Sequence, residues 1–451
     1  AESILFEDGF EFSTVNPQSE PLLTVSAPLG LQMGSNPGAI EIDGSGFALN
    51  LSSVNFSIIS NSNLQVKPEK TLALIAGNIT MTGSQISTNT GTVELGSITE
   101  GFVDFDSTSA GWKFSYEKVS EFADLKLDQS IVHALNPGGG SINLQARNIS
   151  LDNGSGVIIQ NQGFQPSGGI KINATEYLDI KGFHPRQFLS SFIYTQSLLG
   201  SVEDTFISAK HLMSSGRFGI QSVSINAPGS NIIINASESI KLEPSPLTPN
   251  STSGIETSAS RNQKAGNIII STGNLDILGG SRVASITRGQ GNSGDVSIDA
   301  KAIEVKGISS GLIASLISAG SLAEGNAGNL LINTDRLTIS DGGRVDSSAA
   351  ARGNAGNVTI NAQEFIEVNG TVPGSINPSL IISSANLLDE SLRIGLRLPP
   401  VPTGESGNLI INTPQLRVIN GAQVTVKNDC TGNAGTLQVK DNSNINDTKG
   451  S

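Results

Sequence analysis

The stretch "GNAGNLLINTDRLTISDGGRVDSSAAARGNAGNVTIN", residues 325–361, contains nearly the same sequence twice. The signal GNAGN begins at Gly325 and again at Gly353, 28 residues later, and a short alternating apolar run follows it each time. A sequence period in the range of about 20–50 residues indicates one small structural unit that is stacked many times along the chain. The fold is therefore expected to be a repeat architecture.

The repeat extends over most of the chain. Counted from the first apolar residue after each signal, with a degenerate member at Phe206, successive members are 28, 36, 26, 36, 28, 34, 28, 51 and 28 residues apart. The members begin at Ile142, Ile170, Phe206, Ile232, Ile268, Val296, Leu330, Val358, Leu409 and Leu437. Four steps of 28 residues define the unit, and the longer steps indicate a unit with an inserted loop.

Each unit contains three short alternating segments, for example LLINT, RLTIS and GRVDSS within residues 330–348. Alternation with period 2 is typical of a strand with one buried face, so Val358 and Ile360 are predicted to point inward and Thr359 outward. Three parallel strands per unit predict an all-β fold, a right-handed parallel β-helix, because parallel crossovers are overwhelmingly right-handed. About 13 to 15 coils of about 28 residues would fit in the chain.

Asparagine and glycine recur at fixed places in the unit. Five asparagines follow the first strand at equivalent positions, and stacked asparagines can hydrogen-bond to one another along a β stack. These predicted ladder residues are Asn173, Asn235, Asn333, Asn361 and Asn412. The glycines of GNAGN are expected to supply positive φ angles at the corners.

Composition excludes several classes of protein. The formal charge of −13 argues against binding to nucleic acid, whose phosphates would be repelled. No apolar stretch approaches the length of a membrane span, and the opening residues AESILFEDGF lack the pattern of a signal peptide. A single cysteine excludes an internal disulfide.

The first part of the chain resembles a known family. Residues 6–46, "FEDGFEFSTVNPQSEPLLTVSAPLGLQMGSNPGAIEIDGSG", resemble the end of the secretion domain of filamentous-haemagglutinin-like exoproteins. Residues 64–83, "LQVKPEKTLALIAGNITMTG", and "GWKFSYEKVSEFADLKLDQ" at 111–129 are similar to the cyanobacterial branch, although Glu69 and Ala76 stand where glycines are expected. The resemblance implies two-partner secretion through an outer-membrane β-barrel transporter, folding outside the cell, and a role in adhesion or aggregation.

The expected organisation follows from the resemblance and the repeat. Residues 1–70 are interpreted as the end of the secretion domain with the first coils, and residues 71–451 as the repeat β-helix. Insertions are predicted at about 181–204, 243–262 and 384–406. Because loops on a regular scaffold often carry recognition, the third insertion is a candidate recognition loop. Its charged residues are Asp389, Glu390, Arg393 and Arg397.

Enzyme chemistry has little support in the sequence. On the third strand the candidate carboxylates Glu256 and Asp346 are expected three coils apart, about 14 Å, which is too far for a catalytic pair. His133, His184 and His211 follow no metal-ligand spacing. No catalytic, cofactor or metal site is therefore predicted. Trp112 and Tyr116 alternate in a strand-like segment and are interpreted as core residues.

Three functions remain in consideration. The preferred hypothesis is a secreted or surface-exposed, non-enzymatic adhesin whose receptor on a host cell, glycan or matrix is unknown. The first alternative is a structural stalk for a further module. The second is a polysaccharide lyase or glycoside hydrolase, since right-handed β-helices also carry such enzymes.

Overall fold

The computed structural model describes most of the chain, and nearly all of its regular structure is β. The described residues are 1–17, 26–51, 56–108, 111–135, 137–184, 189–248, 250, 252–386, 390–395 and 403–441.

The strands of the N-terminal part are short and follow one another closely. They are β1 (Ser3–Phe6), β2 (Glu11–Ser13), β3 (Pro28–Met33), β4 (Ile40–Asp43), β5 (Phe47–Leu51), β6 (Phe56–Ser60), β7 (Leu64–Gln65), β8 (Thr71–Ala76), β9 (Ile79–Thr82), β10 (Gln85–Ser87), β11 (Thr92–Thr108), β12 (Gly111–Phe122), β13 (Leu125–Asp128) and β14 (Ile131–Ala134).

In the repeat part, long strands alternate with short ones. They are β15 (Ser141–Asp152), β16 (Gly156–Asn161), β17 (Ile170–Ile180), β18 (Phe183–His184), β19 (Leu189–Ser190), β20 (Phe192–Ser197), β21 (Thr205–Ser215), β22 (Gly219–Ser224), β23 (Ile232–Glu243), β24 (Gly254–Ala259), β25 (Ile268–Leu278), β26 (Arg282–Thr287), β27 (Val296–Lys306), β28 (Leu316–Ser321), β29 (Leu330–Ser340), β30 (Arg344–Asp346), β31 (Val358–Asn369), β32 (Leu380–Ala385), α1 (Glu390–Gly395), β33 (Leu409–Thr413), β34 (Leu416–Ile419), β35 (Gln423–Asn428) and β36 (Leu437–Asp441).

The chain is a right-handed parallel β-helix, as predicted. In most coils the first and second segments form one long strand, and a register shift often separates its two halves, as between Thr334 and Arg336 in the pairing of β29 with β31. The third segments form a separate parallel sheet, which contains twelve strands among the described residues, from β7 to β35. The three segments are thus the three faces of the coil, with two of them joined by a bend.

Among the described residues the stack has fewer coils than the predicted 13 to 15, because part of the N-terminal chain does not wind around the axis. Strands β1, β2 and β3 pair antiparallel with one another, and β5 pairs antiparallel with β6. After residue 97, β11 leaves the parallel stack and pairs antiparallel with β12 and β3. Twelve third strands at about 4.8 Å per coil give a rod of about 60 Å.

The core is one continuous apolar column along the axis. The side chains of Val358 and Ile360 are fully buried, while Thr359 between them is half-buried on the outer face. Equivalent residues of successive coils lie directly above one another, for example Ile332 above Ile298 and below Ile360. Burial of roughly 25 cal/mol per Å² of apolar surface stabilises each coil only when its neighbours are present.

The corner glycines have a different role from the predicted one. Gly325 and Gly353 do not have positive φ angles. A Cβ atom built on Gly353 would instead overlap with the carbonyl oxygen of Gly325, and one on Gly325 would overlap with that of Gly291. The corners therefore require glycine because two backbones of adjacent coils approach too closely for any side chain. A positive φ occurs at other corners, including Gly342 (90°) and Glu69 (63°), one of the two expected glycine positions.

The structure also refines details of the predicted repeat. Thr205, not Phe206, pairs with Ile232, so Phe206 lies on the outer face. Two of the ranges predicted as insertions contain a strand of the third segment, which belongs to the coil itself. β20 lies within 181–204 and β24 within 243–262. In the first of these, the residues outside the coil include the small antiparallel pair of β18 and β19. In the third predicted insertion, 384–406, the described residues include the short helix α1.

Candidate functional site

The outer face of the first segments carries an exposed apolar column. Residues at the second position of each long strand pair in register from coil to coil. We call the column formed by these residues the apolar stripe: Phe206, Ile233, Ile269, Ser297, Leu331, Thr359 and Ile410. Phe206, Ile269 and Leu331 are 42%, 41% and 38% exposed, and their significance lies in their alignment on one face, since single exposed apolar side chains are common. At one residue per coil the stripe is about 30 Å long.

The predicted asparagines form a column beside this stripe, two residues further along each strand. Asn361 donates its side-chain amide to Asn333 Oδ1 at 2.8 Å, and Asn412 donates to Asn361 Oδ1 at 2.7 Å. Asn333 donates in turn to Asp299 at 2.7 Å. We call this column the strand ladder. Of the other predicted members, Asn173 donates to Gln145 Oε1 at 2.9 Å, and Asn235 stands in register between Ser208 and Ser271.

A second ladder lies on the other side of the stripe. From Asn231 onward, each backbone N–H at this position donates to the side-chain oxygen of the residue one coil earlier, over distances of 2.7 to 3.1 Å. We call it the corner ladder, and its members are Asp204, Asn231, Asn267, Asp295, Asn329, Asn357, Asn408 and Thr436. Its signal was visible as the last asparagine of GNAGN, but the sequence suggested only a turn residue there. The stripe therefore runs between two rows of ordered polar side chains.

At its N-terminal end, the same face is covered by β12. Tyr116 lies over Gly96, where an added Cβ would come within 2.6 Å of the tyrosine hydroxyl. The backbone N–H of Trp112 donates to Thr71 Oγ1 at 2.9 Å, which fixes the start of β12 against the sheet. Between β12 and the open face lies a groove of about 590 Å³. Its floor continues the column of the stripe backward through Lys171, Asn143 and Glu94.

Glu94 is the residue of this groove that sequence reasoning missed. Its side chain is nearly completely buried and accepts hydrogen bonds from Tyr116 Oη at 2.6 Å and Asn143 Nδ2 at 2.9 Å. Burial raises the pKa of Glu94 to about 7, although both hydrogen bonds and the charge of Lys171 act in the opposite direction. Burial also raises the pKa of Tyr116, and the adjacent Glu94 adds to that effect. Near pH 7, Glu94 can therefore either accept or donate a hydrogen bond.

The aromatic residues of the groove differ from the expectation. Trp112 is 37% exposed, so its interpretation as a core residue is wrong, whereas Tyr116 is half-buried. The indole packs edge-on against Phe105, with ring centroids 4.9 Å apart. Phe206, 42% exposed, lines the same groove. The groove thus has exposed aromatic surface and polar groups in the same space.

The predicted recognition loop is only partly described. Glu390 and Arg393 lie on α1, where an ion pair joins them at 3.8 Å, and Glu390 is exposed. Asp389 and Arg397 lie outside the described residues. Of the four charged residues of the predicted loop, the structure thus places Glu390 and Arg393, as an ion pair on α1.

The candidate catalytic acids are separated as expected. Glu256, Ala284, Ser318 and Asp346 are aligned in successive coils, which places the two carboxylates three coils apart. Glu256 is buried and accepts a hydrogen bond from Arg282 Nε at 2.8 Å. This contact neutralises the carboxylate in a structural ion pair.

The three histidines lie apart from one another. His133 is buried against Gln85, whose amide nitrogen is 2.7 Å from His133 Nε2, and His184 is also buried. His211 stacks on Tyr177 with ring centroids 4.7 Å apart. Across the described ranges, no three His, Cys, Asp or Glu side chains are grouped in a way that could hold a metal ion.

Comparison with known proteins gives one match. Residues 1–144 match the TPS secretion domain. The match includes β11 and β12, and so the part of the groove wall that these strands form, whereas Lys171 and Phe206 of the groove lie beyond it. It extends past the boundary at residue 70 that the sequence suggested. No curated protein and no solved structure matches the chain. Within the described residues, none of the helices is long and apolar enough to cross a membrane.

Proposed function

Because its residues 1–144 form a TPS secretion domain, the chain is a two-partner secretion exoprotein of the filamentous-haemagglutinin type, and we propose that it acts as a non-enzymatic adhesin on the outer cell surface. A protein with this domain is secreted, and its export partner is an outer-membrane transporter. The adhesive role and the surface location are the parts that we propose.

The observation that carries this proposal is the long, regular outer face of the rod. Phe206, Ile269 and Leu331 are exposed on one line along the apolar stripe, which Ser297 and Thr359 interrupt. Exposed apolar side chains that are aligned on one face favour a binding role. The two ladders fix the polar side chains on either side by hydrogen bonds between coils. A rigid, pre-ordered surface loses little conformational entropy when it binds a partner.

The same observation favours an adhesin over a stalk. A spacer needs only coils that stack, and outward positions occupied by charged or small polar residues would serve that purpose. Isoleucine, leucine and phenylalanine at outward positions expose apolar surface, which has a cost in solubility that a spacer has no reason to bear. The separation of Glu256 from Asp346, and the ion pair of Glu256, give a lyase or hydrolase no support on the third sheet.

The proposal is tested by an adhesion assay with the whole chain. Beads coated with the folded protein, and beads coated with the same protein after heat denaturation, are added to epithelial cells, to mucin and to an extracellular-matrix film. We expect the folded protein alone to retain the beads on at least one surface. Equal retention of both kinds of bead on every surface would favour the stalk.

A second assay addresses the enzymatic alternative. The protein is incubated with polygalacturonate and with alginate, with and without calcium, and the formation of unsaturated uronates is followed by ultraviolet absorbance. We expect no turnover above that of the denatured protein. Calcium-dependent turnover would replace the adhesin with a lyase.

A further inference from the structure

We propose that the apolar stripe and its two flanking ladders bind a neutral, linear polysaccharide chain parallel to the rod axis, and that the groove beneath β12 receives one end of that chain. This inference rests on the proposed adhesive function and specifies the ligand class and the site.

The arrangement of the three columns matches the surface of a ribbon-like glycan. A β-1,4-linked pyranose chain is extended and flat, with C–H groups on its two faces and hydroxyl groups along both edges. The stripe offers one side chain about every 4.8 Å along the axis, and each ladder lies about 7 Å to one side. A sugar face can therefore lie on Ile269 or Leu331 while its edge hydroxyls reach both ladders.

The ladders are suited to hydroxyl groups. An asparagine side chain has two N–H donors and an oxygen with two lone pairs. Along the strand ladder, Asn361 uses one N–H toward Asn333 and one lone pair toward Asn412. Each amide in the column retains further donor and acceptor capacity on its outer side. A sugar hydroxyl group both donates and accepts, so it can hydrogen-bond to the amide donors and acceptors that the ladder does not use. Because the amides are already ordered before the ligand binds, little conformational entropy is lost.

The charges on this face select against an anionic glycan. The ladders include Asp204, Asp295 and Asp299, and the whole chain carries a formal charge of −13. Lys264 lies 3.8 Å from Asp295 and compensates that carboxylate. Along the ladders, a polyuronate or a sulfated glycan would face the carboxylates of Asp204 and Asp299, whereas a neutral glycan would not be repelled by them. The cationic Lys171 lies at the groove end of the column, outside the open part of the stripe.

A peptide strand is the weaker occupant of this face. The first segments are hydrogen-bonded to coils on both sides from β11 to β33. The face therefore offers no open backbone edge along its length to which an extended peptide could add.

The groove provides an end to the binding surface. Trp112 and Phe206 both have exposed ring surface there, and ring faces stack on the C–H faces of sugars. Behind them, the partly exposed side chain of Asn143 supplies a polar group at the covered end, and its hydrogen bond to Glu94 holds it in place. The glycan chain would therefore extend along the stripe in one direction only, away from β12.

The test uses cellohexaose and hydroxyethylcellulose as neutral probes and alginate as the anionic one. Affinity electrophoresis in gels containing each polymer, and calorimetric titration with cellohexaose, are performed on the full chain. The stripe variant is the double substitution Ile269→Asn with Leu331→Asn. The matched control is Thr338→Asn, an outward position of the second segment in the same coil as Leu331. Both proteins are checked by circular dichroism melts.

We expect the parent protein to bind the neutral probes and the control variant to bind them with equal affinity. The affinity of the stripe variant should fall by about tenfold or more, because two apolar contacts are lost. Trp112→Ala should weaken the binding of cellohexaose in the same way. The proposal is overturned if the neutral probes do not bind, if alginate binds more tightly than hydroxyethylcellulose, or if the stripe variant with an unchanged melt binds like the parent.

Bead adhesion separates this proposal from the adhesive function. If beads coated with the stripe variant still adhere like the parent, the glycan site is wrong and the adhesin stands. If beads coated with the parent protein do not adhere to any surface, the adhesive function fails, whatever the glycan titration shows.

Discussion

The side-chain amide of Asn361 donates a hydrogen bond to Oδ1 of Asn333, the residue 28 positions earlier in the chain and one coil below it, at 2.8 Å. The sequence period and the spatial period therefore coincide at this position. Side chains that are far apart in sequence become nearest neighbours along the axis, and the stability of the rod depends on such contacts between successive coils.

We expect Asn361→Ala to lower the free energy of unfolding by about 1–2 kcal/mol, because Asn361 both donates to Asn333 and accepts from Asn412, at about 0.5–1.5 kcal/mol for each bond. Urea denaturation followed by circular dichroism measures the change. Gln363→Ala, an exposed position in the same strand, serves as the control and should stay within about 0.5 kcal/mol of the parent. Equal losses in both variants would show that the ladder contributes nothing beyond strand propensity.

Gly353→Ala should destabilise the chain by about 2 kcal/mol or more, since the new Cβ would overlap with a backbone atom, the carbonyl oxygen of Gly325. The matched substitution is Gly38→Ala, where the added Cβ would have no neighbour within 4 Å and the φ angle is not positive. Thermal melts compare the two. An unperturbed Gly353→Ala protein would mean that adjacent corners are further apart than the structure shows.

The stability of the chain should depend on pH in two opposing ways. The pKa of Glu94 is raised to about 7 in the folded protein, so its contribution is greatest below about pH 4.5 and is lost as the pH rises toward 7. Burial lowers the pKa of His133 to about 4, so its contribution is present above about pH 6.5 and is lost as the pH falls toward 4. The two effects partly cancel in the parent protein.

Replacing Glu94 should remove its part of the pH dependence and leave that of His133. We expect the apparent Tm of Glu94→Gln, relative to that of the parent, to rise between pH 4.5 and pH 7, because the variant no longer buries a carboxylate that must ionise. Melts at half-unit intervals of pH measure this difference. A difference in Tm that does not change with pH would show that Glu94 titrates normally.

Deletion of residues 325–352 should remove one whole coil and leave the stack intact. Gly353 would then lie on Gly291, where Gly325 lies now, and each inward side chain would keep its face. We expect the apparent Tm to remain within about 5 °C of the parent, because a stack loses one unit and one interface. Deletion of residues 325–338 should be far more damaging, because it places third-strand residues over a first strand. Comparable melts for the two deletions would contradict one coil per 28 residues.

The sequence alone determined the architecture of the repeat. Period-2 alternation predicts which side of a strand is apolar, and the 28-residue period predicts which residues of neighbouring coils lie in register. Both signals are local or periodic, so they predicted the inward direction of Val358 and Ile360 and the alignment of Asn333 with Asn361. The separation of Glu256 from Asp346 followed from the same count.

Only the tertiary structure decided what lies against the outer face. Glu94 occupies an outward position between Val93 and Leu95, and the alternation alone would leave it in solvent. It is buried because β12 folds back over the sheet, a contact that no period in the sequence encodes. The corner glycines illustrate the same limit: their residue type was visible, but the closeness of two backbones in adjacent coils, which makes a side chain impossible, is a property of the stack.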